Sequence, residues 1–347
     1  KETDKNMSHD GRVMEVLSEH VLHGLLQGYI LTGRHGVFAS YEAFMQIVAS
    51  MADQYSKFIK IAREIPWRGD VSSMNYILTS SLWRQEHNGF SHQNPGFIDT
   101  LLQKHNNFVN VYFPADANVA VLYSQKMLEA KNSMNALVAE KTEEIVWLNE
   151  QEAKEQVKNG IMKWNFASDE NPDVVLVGIG QYAIKETLSA IKIIKAETPK
   201  LKVRFVCVTE LSPYTLGSYT DKMPMSDFNK FFTEDKPVIF NFHGYPETLK
   251  QILFDYENSY GRMSVHGYLD SGSTTTPFDL HLRNKTSRYD IVIDVWQKML
   301  HNGFAELDKT LTDLLISKYG QKIEEAKQFA IQNGIDAPEI ENWNWEK

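Results

Sequence analysis

A chain of 347 residues, 42% hydrophobic and 23% charged, exceeds the size at which single cores stop growing and holds enough apolar material for two. Its formal net charge of -9 excludes a broadly basic nucleic-acid surface, although a few local cations and backbone N–H groups can still hold a phosphate. Cys207 is the only cysteine, which excludes an intramolecular disulfide and a cysteine metal cluster and suits a reducing cytoplasm.

No apolar run approaches transmembrane length. The polar start KETDKNMSHDGR does not begin with methionine, resembles no signal peptide and reads as a linker exposed by truncation or proteolysis. Residues 12–30 place Val13, Leu17, Val21, Leu25 and Leu26 at helical spacing, and a second helix is expected over 41–62, ending before Pro66. Strand-like runs follow at 75–79, 109–113 and 136–138, separated by helical stretches at 97–104 and 117–130. The polar stretch 149–172, with Gly160 and Pro172, marks a domain boundary.

Beyond it, 173–178 (DVVLVG) is a buried-strand pattern and 182–196 an amphipathic helix. Further strands are expected at 202–208, 237–242 and 263–268, then helices at 291–301 and 308–333, with the last residues a tail. No internal repeat or low-complexity segment interrupts this order. Strand–helix alternation on both sides of the boundary predicts two α/β domains in series, each with a mostly parallel sheet flanked by helices.

Three polar or aromatic clusters could carry chemistry. The densest, 83–96 (WRQEHNGFSHQNPG), gathers Gln85, His87, Asn88, Ser91, His92 and Gln93 after a strand, where parallel sheets bind ligands. Its histidines and amides could exchange protons and hold hydroxyl or phosphate oxygens, or could simply face solvent. In 18–24 (SEHVLHG), Glu19, His20 and His23 read as solvated positions on an amphipathic helix, with no recognised zinc spacing. Phe38, Tyr41 and Phe44 are spaced by three, which suits either a core face or a cofactor platform. Gly178-Ile-Gly180 lacks the third glycine of a dinucleotide fingerprint and reads as a tight strand-to-helix turn.

In their order, these clusters resemble the pyrimidine-binding domain of transketolase-like thiamine-diphosphate enzymes. Ser18-Glu19-His20 stands where that superfamily has Arg-Glu-His, the aromatic triplet follows, and Gly89-Phe90-Ser91-His92-Gln93 matches its Gly-Pro-Thr-His-Gln loop. The wording is nearer still to phosphoketolases: GRVMEVLSEH, LTGRHGVF, SYEAF, IPWR, NYILTSSLWRQEHNGFSHQNPGFID, DKPVIFNFHGYP and TTTPFDL run from Gly11 to the region of Val295.

The resemblance implies a pyrimidine-binding domain over 11–150 and a transketolase-like carboxy-terminal domain over 173–335. It implies cleavage of xylulose 5-phosphate or fructose 6-phosphate with inorganic phosphate to acetyl phosphate, in a homodimer using thiamine diphosphate and magnesium. Glu19 would serve the aminopyrimidine ring, Tyr41 would stack on it with Phe38 and Phe44 behind, and His92 would handle substrate hydroxyls. Gln85, His87 and Asn88 would lie near the attacking phosphate, with Lys141 as a further phosphate contact or an exposed strand-end lysine. The family's Gly-Asp-Gly metal motif is missing; Arg68-Gly69-Asp70-Val71 is the nearest string. The metal site is therefore expected outside this chain, which alone would be inactive. A glycolaldehyde-transferring transketolase and a non-catalytic scaffold or regulatory half are the rival readings.

Overall fold

The computed structural model describes residues 11–104, 107–143, 145–212, 215–216 and 222–345. The amino-terminal stretch 1–10, read above as part of a linker, lies outside them. In chain order the first part runs α1 (Glu19–Leu31), β1 (Phe38–Tyr41), α2 (Glu42–Met45), α3 (Ala49–Arg63), β2 (Met74–Thr79), α4 (Gly96–Leu102), β3 (Val109–Tyr112), α5 (Ala117–Glu129) and β4 (Met134–Val138). There follow α6 (Glu150–Asn159), β5 (Ile161–Lys163), β6 (Val174–Ile179), α7 (Gln181–Glu197), β7 (Val203–Val208), β8 (Glu210–Leu211), α8 (Met225–Phe232) and β9 (Val238–Phe242). The chain closes with α9 (Pro246–Leu253), β10 (Met263–His266), α10 (Pro277–Arg283), α11 (Arg288–His301), α12 (Lys309–Asn333) and α13 (Pro338–Glu341).

Among the described residues two five-stranded sheets form, ordered β1-β2-β4-β3-β8 and β10-β9-β6-β7-β5. Within each, four strands are parallel and one short edge strand is antiparallel. At the centre of the second sheet β6 is a continuous apolar run, and every residue of it is buried. The α/β character and parallel sheets expected from the alternation are present.

The sheets are not independent. β7 belongs to the second sheet and β8 to the first, with Thr209 alone between them. The Thr209 carbonyl accepts from Phe113 N–H at 2.8 Å while its own N–H donates to Gly160 O at 2.8 Å. One contiguous apolar cluster includes Tyr76 and Met134 of the first sheet and Val177 and Phe240 of the second.

Three local expectations need correction, and the stretch read as a boundary carries elements of its own. α1 begins at Glu19 rather than near 12, because Ser18 caps it, accepting from Val21 N–H at 3.4 Å. The helix expected over 41–62 is broken into α2, a 3-10 turn and α3, and β1 precedes it. The polar stretch 149–172 contains α6, opened by an Asn149–Glu152 capping box, and β5. The tail docks: Trp345 is buried, its ring 5.7 Å from Phe166, and Trp343 lies 6.3 Å from Trp147.

Candidate active site

Because β1, β2 and β4 are parallel and pair Tyr41 with Thr79 and Leu78 with Val138, their carboxyl ends lie along one edge. The segments leaving that edge are Tyr41 to Phe44, the loop after Thr79 and the turn to Lys141. Open parallel sheets bind ligands at such edges.

There the Tyr41 and Phe44 rings stack, centroids 5.7 Å apart and 13° from parallel. His92 meets both, 5.8 Å from Tyr41 and 4.9 Å from Phe44. Its Nδ1 pairs with Ser91 Oγ at 2.9 Å. The Lys141 ammonium lies 5.1 Å from the centre of the Tyr41 ring. Tyr41, Phe44 and His92 are half-buried and Lys141 is exposed. Four nominated residues therefore share one partly open aromatic surface with a cation at its rim.

Phe38 does not join that stack. It is buried and packs against His23 at 6.4 Å and Tyr76 at 6.3 Å. A spacing of three puts residues on one side of a helix, but in a strand such as β1 it puts them on opposite faces. Phe38 is thus core, not backing for Tyr41.

Gln85 is buried, its Nε2 donating to Ser80 O at 2.7 Å and Ser81 O at 3.0 Å while its Oε1 accepts from Asn88 at 3.3 Å. The amide is absorbed by the loop's own turn. His87 and Asn88 are exposed on the same loop. Glu19 is half-buried in the first turn of α1. Among the described residues no hydrogen bond or ion pair joins Glu19 to the Tyr41 cluster. His23, read as solvated, is instead buried, with Nε2 2.9 Å from the Tyr76 hydroxyl. Burial, helped by His20, pulls its pKa down to about 4, so the ring is neutral.

Groups that no site motif marks hold this edge from the other sheet. Glu42, directly after Tyr41, is fully buried; its Oε2 accepts from Leu82 N–H at 2.7 Å and its Oε1 meets His243 Nε2 at 2.8 Å. His243 follows β9 and approaches Gly180 so closely that a Cβ there would lie 2.7 Å from the histidine's Cβ. With φ at +102°, Gly180 serves this tight turn, which accounts for the Gly-Ile-Gly string without a nucleotide. Trp83 donates its indole N–H to His243 O at 3.1 Å and stacks on His281 at 4.2 Å and 6°. Burial pushes the His281 pKa down to about 4, leaving a neutral ring against the indole. The only advance signal was the carboxyl-end position of His243 in VIFNFHG.

The partly open Tyr41–Phe44 surface fits an aromatic ring, and Lys141 and His92 fit an anionic or hydroxyl-bearing ligand beside it. Among the described residues, no three or more His, Cys, Asp or Glu side chains gather as a cation site. No helix among those residues is long and apolar enough to cross a membrane.

Residues 1–130 match the family described as D-xylulose 5-phosphate/D-fructose 6-phosphate phosphoketolase, and residues 141–345 match its C-terminal domain. A probable phosphoketolase of Nitrosospira multiformis is 40% identical over 99% of this chain and 42% of its own length. One from Pseudomonas putida is 40% identical over 99% of the chain and 43% of its own. The chain thus spans about two fifths of these relatives. Among solved structures, a split-gene transketolase described as an inactive beta4 tetramer is similar with TM-score 0.55 and 17% identity, covering 82% of each chain. A transketolase from Leishmania mexicana is similar with TM-score 0.59 and 17% identity, over 84% of this chain and 38% of that one. At such identities the likeness is one of fold.

Proposed function

Because the chain belongs to the phosphoketolase family, we propose that it carries the pyrimidine-facing and substrate-facing side of a phosphoketolase site. The reaction cleaves xylulose 5-phosphate or fructose 6-phosphate with inorganic phosphate, giving acetyl phosphate, an aldose phosphate and water. The observation that supports this most is the gathering of Tyr41, Phe44, His92 and Lys141 at one sheet edge.

In this reading, thiamine diphosphate when bound supplies the electron sink for carbon–carbon cleavage. Tyr41 and Phe44 offer the flat surface for its pyrimidine ring. Glu19 hydrogen-bonds a pyrimidine nitrogen through a carboxyl that gives up and regains a proton. His92, already paired with Ser91, moves protons at substrate hydroxyls. Lys141 holds phosphate oxygens as a point charge, and exposed His87 and Asn88 face the attacking phosphate. Gln85 holds the loop that carries them. The diphosphate, its magnesium ion and part of the substrate are held by the portion of the family's length that this chain does not span, and the site is completed in a homodimer.

The test is acetyl phosphate formation by the native protein, read as hydroxamate from either ketose phosphate. We expect product to require both thiamine diphosphate and inorganic phosphate. Transfer of a glycolaldehyde unit to an aldose phosphate, with no phosphate requirement, would sink the assignment and favour a transketolase.

A further inference from the structure

The loop bearing His87 and His92 leaves the first sheet, yet it is pinned to the segment between β10 and α10. Gln93, next to His92, ends the 3-10 turn Gly89–His92, and its N–H donates to Phe90 O at 3.2 Å. Its backbone carbonyl accepts from the Tyr268 hydroxyl at 3.2 Å, and its side-chain Nε2 donates to Ser273 O at 2.9 Å. At the turn's start, a Cβ on Gly89 would lie 2.2 Å from Thr274 Oγ1, and φ there is +69°. The loop thus lies directly against residues 272–274.

That segment is itself fixed. Tyr268 is 2% exposed, and its N–H donates to Gly244 O at 2.9 Å. Its ring meets Trp83 edge-on at 5.9 Å. Fully buried Asn284 accepts from Leu269 N–H at 2.8 Å and donates to Leu280 O at 2.8 Å. Thr276 caps α10, accepting from Asp279 N–H at 3.4 Å. Such a support can hold a neighbouring loop to the tolerance proton transfer needs, where displacement by about 1 Å can cost a hundredfold in rate.

We infer that Tyr268, with the Ser273 carbonyl, is a positioning element for the His92 loop: the second sheet sets where the first sheet's substrate-facing histidine stands. The role in turnover rests on the reading of His92 given above; the mechanical link does not.

Tyr268→Phe is the minimal probe, since it removes the hydroxyl and keeps the ring contacts. In the full-length native protein we expect kcat/KM for the ketose phosphate to fall by roughly tenfold. Thiamine-diphosphate affinity should stay unchanged, because among the described residues no ring contact or hydrogen bond joins Tyr268 to Tyr41 or Phe44. Amide hydrogen exchange over residues 84–96 should quicken while the β6 and β9 strands keep wild-type protection. Gln93→Ala, which removes the bond to Ser273, should produce the same local quickening. Wild-type exchange over 84–96 in both variants would overturn the brace. Faster exchange with unchanged kcat/KM would overturn its role in positioning. A native protein that makes no acetyl phosphate would remove the functional reading, and the exchange measurement would still decide whether Tyr268 holds the loop.

Discussion

Glu186 of α7 and Arg288, the first residue of α11, form an ion pair at 3% and 4% exposure. The guanidinium donates from Nη2 to Oε1 at 2.6 Å and from Nε to Oε2 at 2.9 Å, and the Arg288 backbone N–H also reaches Oε2 at 2.9 Å. Burial alone would push the Glu186 carboxyl up, but the guanidinium more than offsets this and holds it below its ordinary value. Arg288→Met would leave a buried carboxylate with one backbone donor, at a cost of about 3–5 kcal/mol. Glu186→Leu should cost a similar amount by stranding the guanidinium. The double variant removes both charges and orphans chiefly the Arg288 N–H, so its cost should be only about 1–3 kcal/mol. Urea unfolding curves of the four proteins, compared by midpoint and slope, give the coupling. The wild-type contribution is present above the unfolded carboxylate value of about 4.3 and fades as pH falls through the lower folded value. An Arg288→Met cost below about 1 kcal/mol, or costs that simply add in the double variant, would refute this account.

In the native protein, Glu19→Gln should nearly abolish acetyl phosphate formation, and His92→Ala should slow it by roughly a hundredfold or more. His87→Ala should raise the phosphate requirement without weakening cofactor binding; near-normal turnover in all three would remove the site assignment. Tyr41→Ala should weaken thiamine-diphosphate binding, followed by fluorescence titration. His266 faces two acceptors, Lys285 O at 2.6 Å and Asp294 Oδ2 at 2.9 Å, so both ring nitrogens must donate. Burial opposes that charge, but Asp294 outweighs it and the His266 pKa is raised, while the Asp294 carboxyl, lifted by burial, is drawn below its usual value by His266. The pair's stabilisation is complete between about pH 4 and 6.5, and is lost as pH rises through the folded histidine value or falls through the folded carboxyl value. Asp294→Asn should flatten the alkaline decline of the urea midpoint; an unchanged decline would show that another group causes it.

The interior of both sheets was legible because fully buried parallel strands are short apolar runs; DVVLVG and PVIFNF differ little from β6 and β9. β1 was not, since Phe-Ala-Ser-Tyr has no apolar run and its aromatics imitate a helical period. The α6 segment was hidden by its polarity: only Ala153 and Gln156 are buried, although Asn149 and Glu152 spelled out its cap. Tyr41, Phe44 and His92 were nominated through resemblance to family motifs, and the structure brings these three rings together. Glu42, His243 and Tyr268 were not, because their roles arise from pairings across 201 and 175 residues that no local pattern encodes.

The two-residue strand β8 also bears on how such proteins can be recombined. Its pairs, Val111 with Leu211 and Tyr112 with Glu210, are made by a segment encoded after β7. The Lys126–Glu210 ion pair at 2.7 Å and the Tyr123–Thr209 hydroxyl contact at 2.8 Å add side-chain matching across the same seam. A chimera spliced between β4 and α6 would therefore inherit a foreign edge strand in its first sheet, however clean the junction looked in sequence. Compatible crossovers would have to carry β3, α5 and residues 209–211 from one parent, so the exchangeable module is discontinuous along the chain.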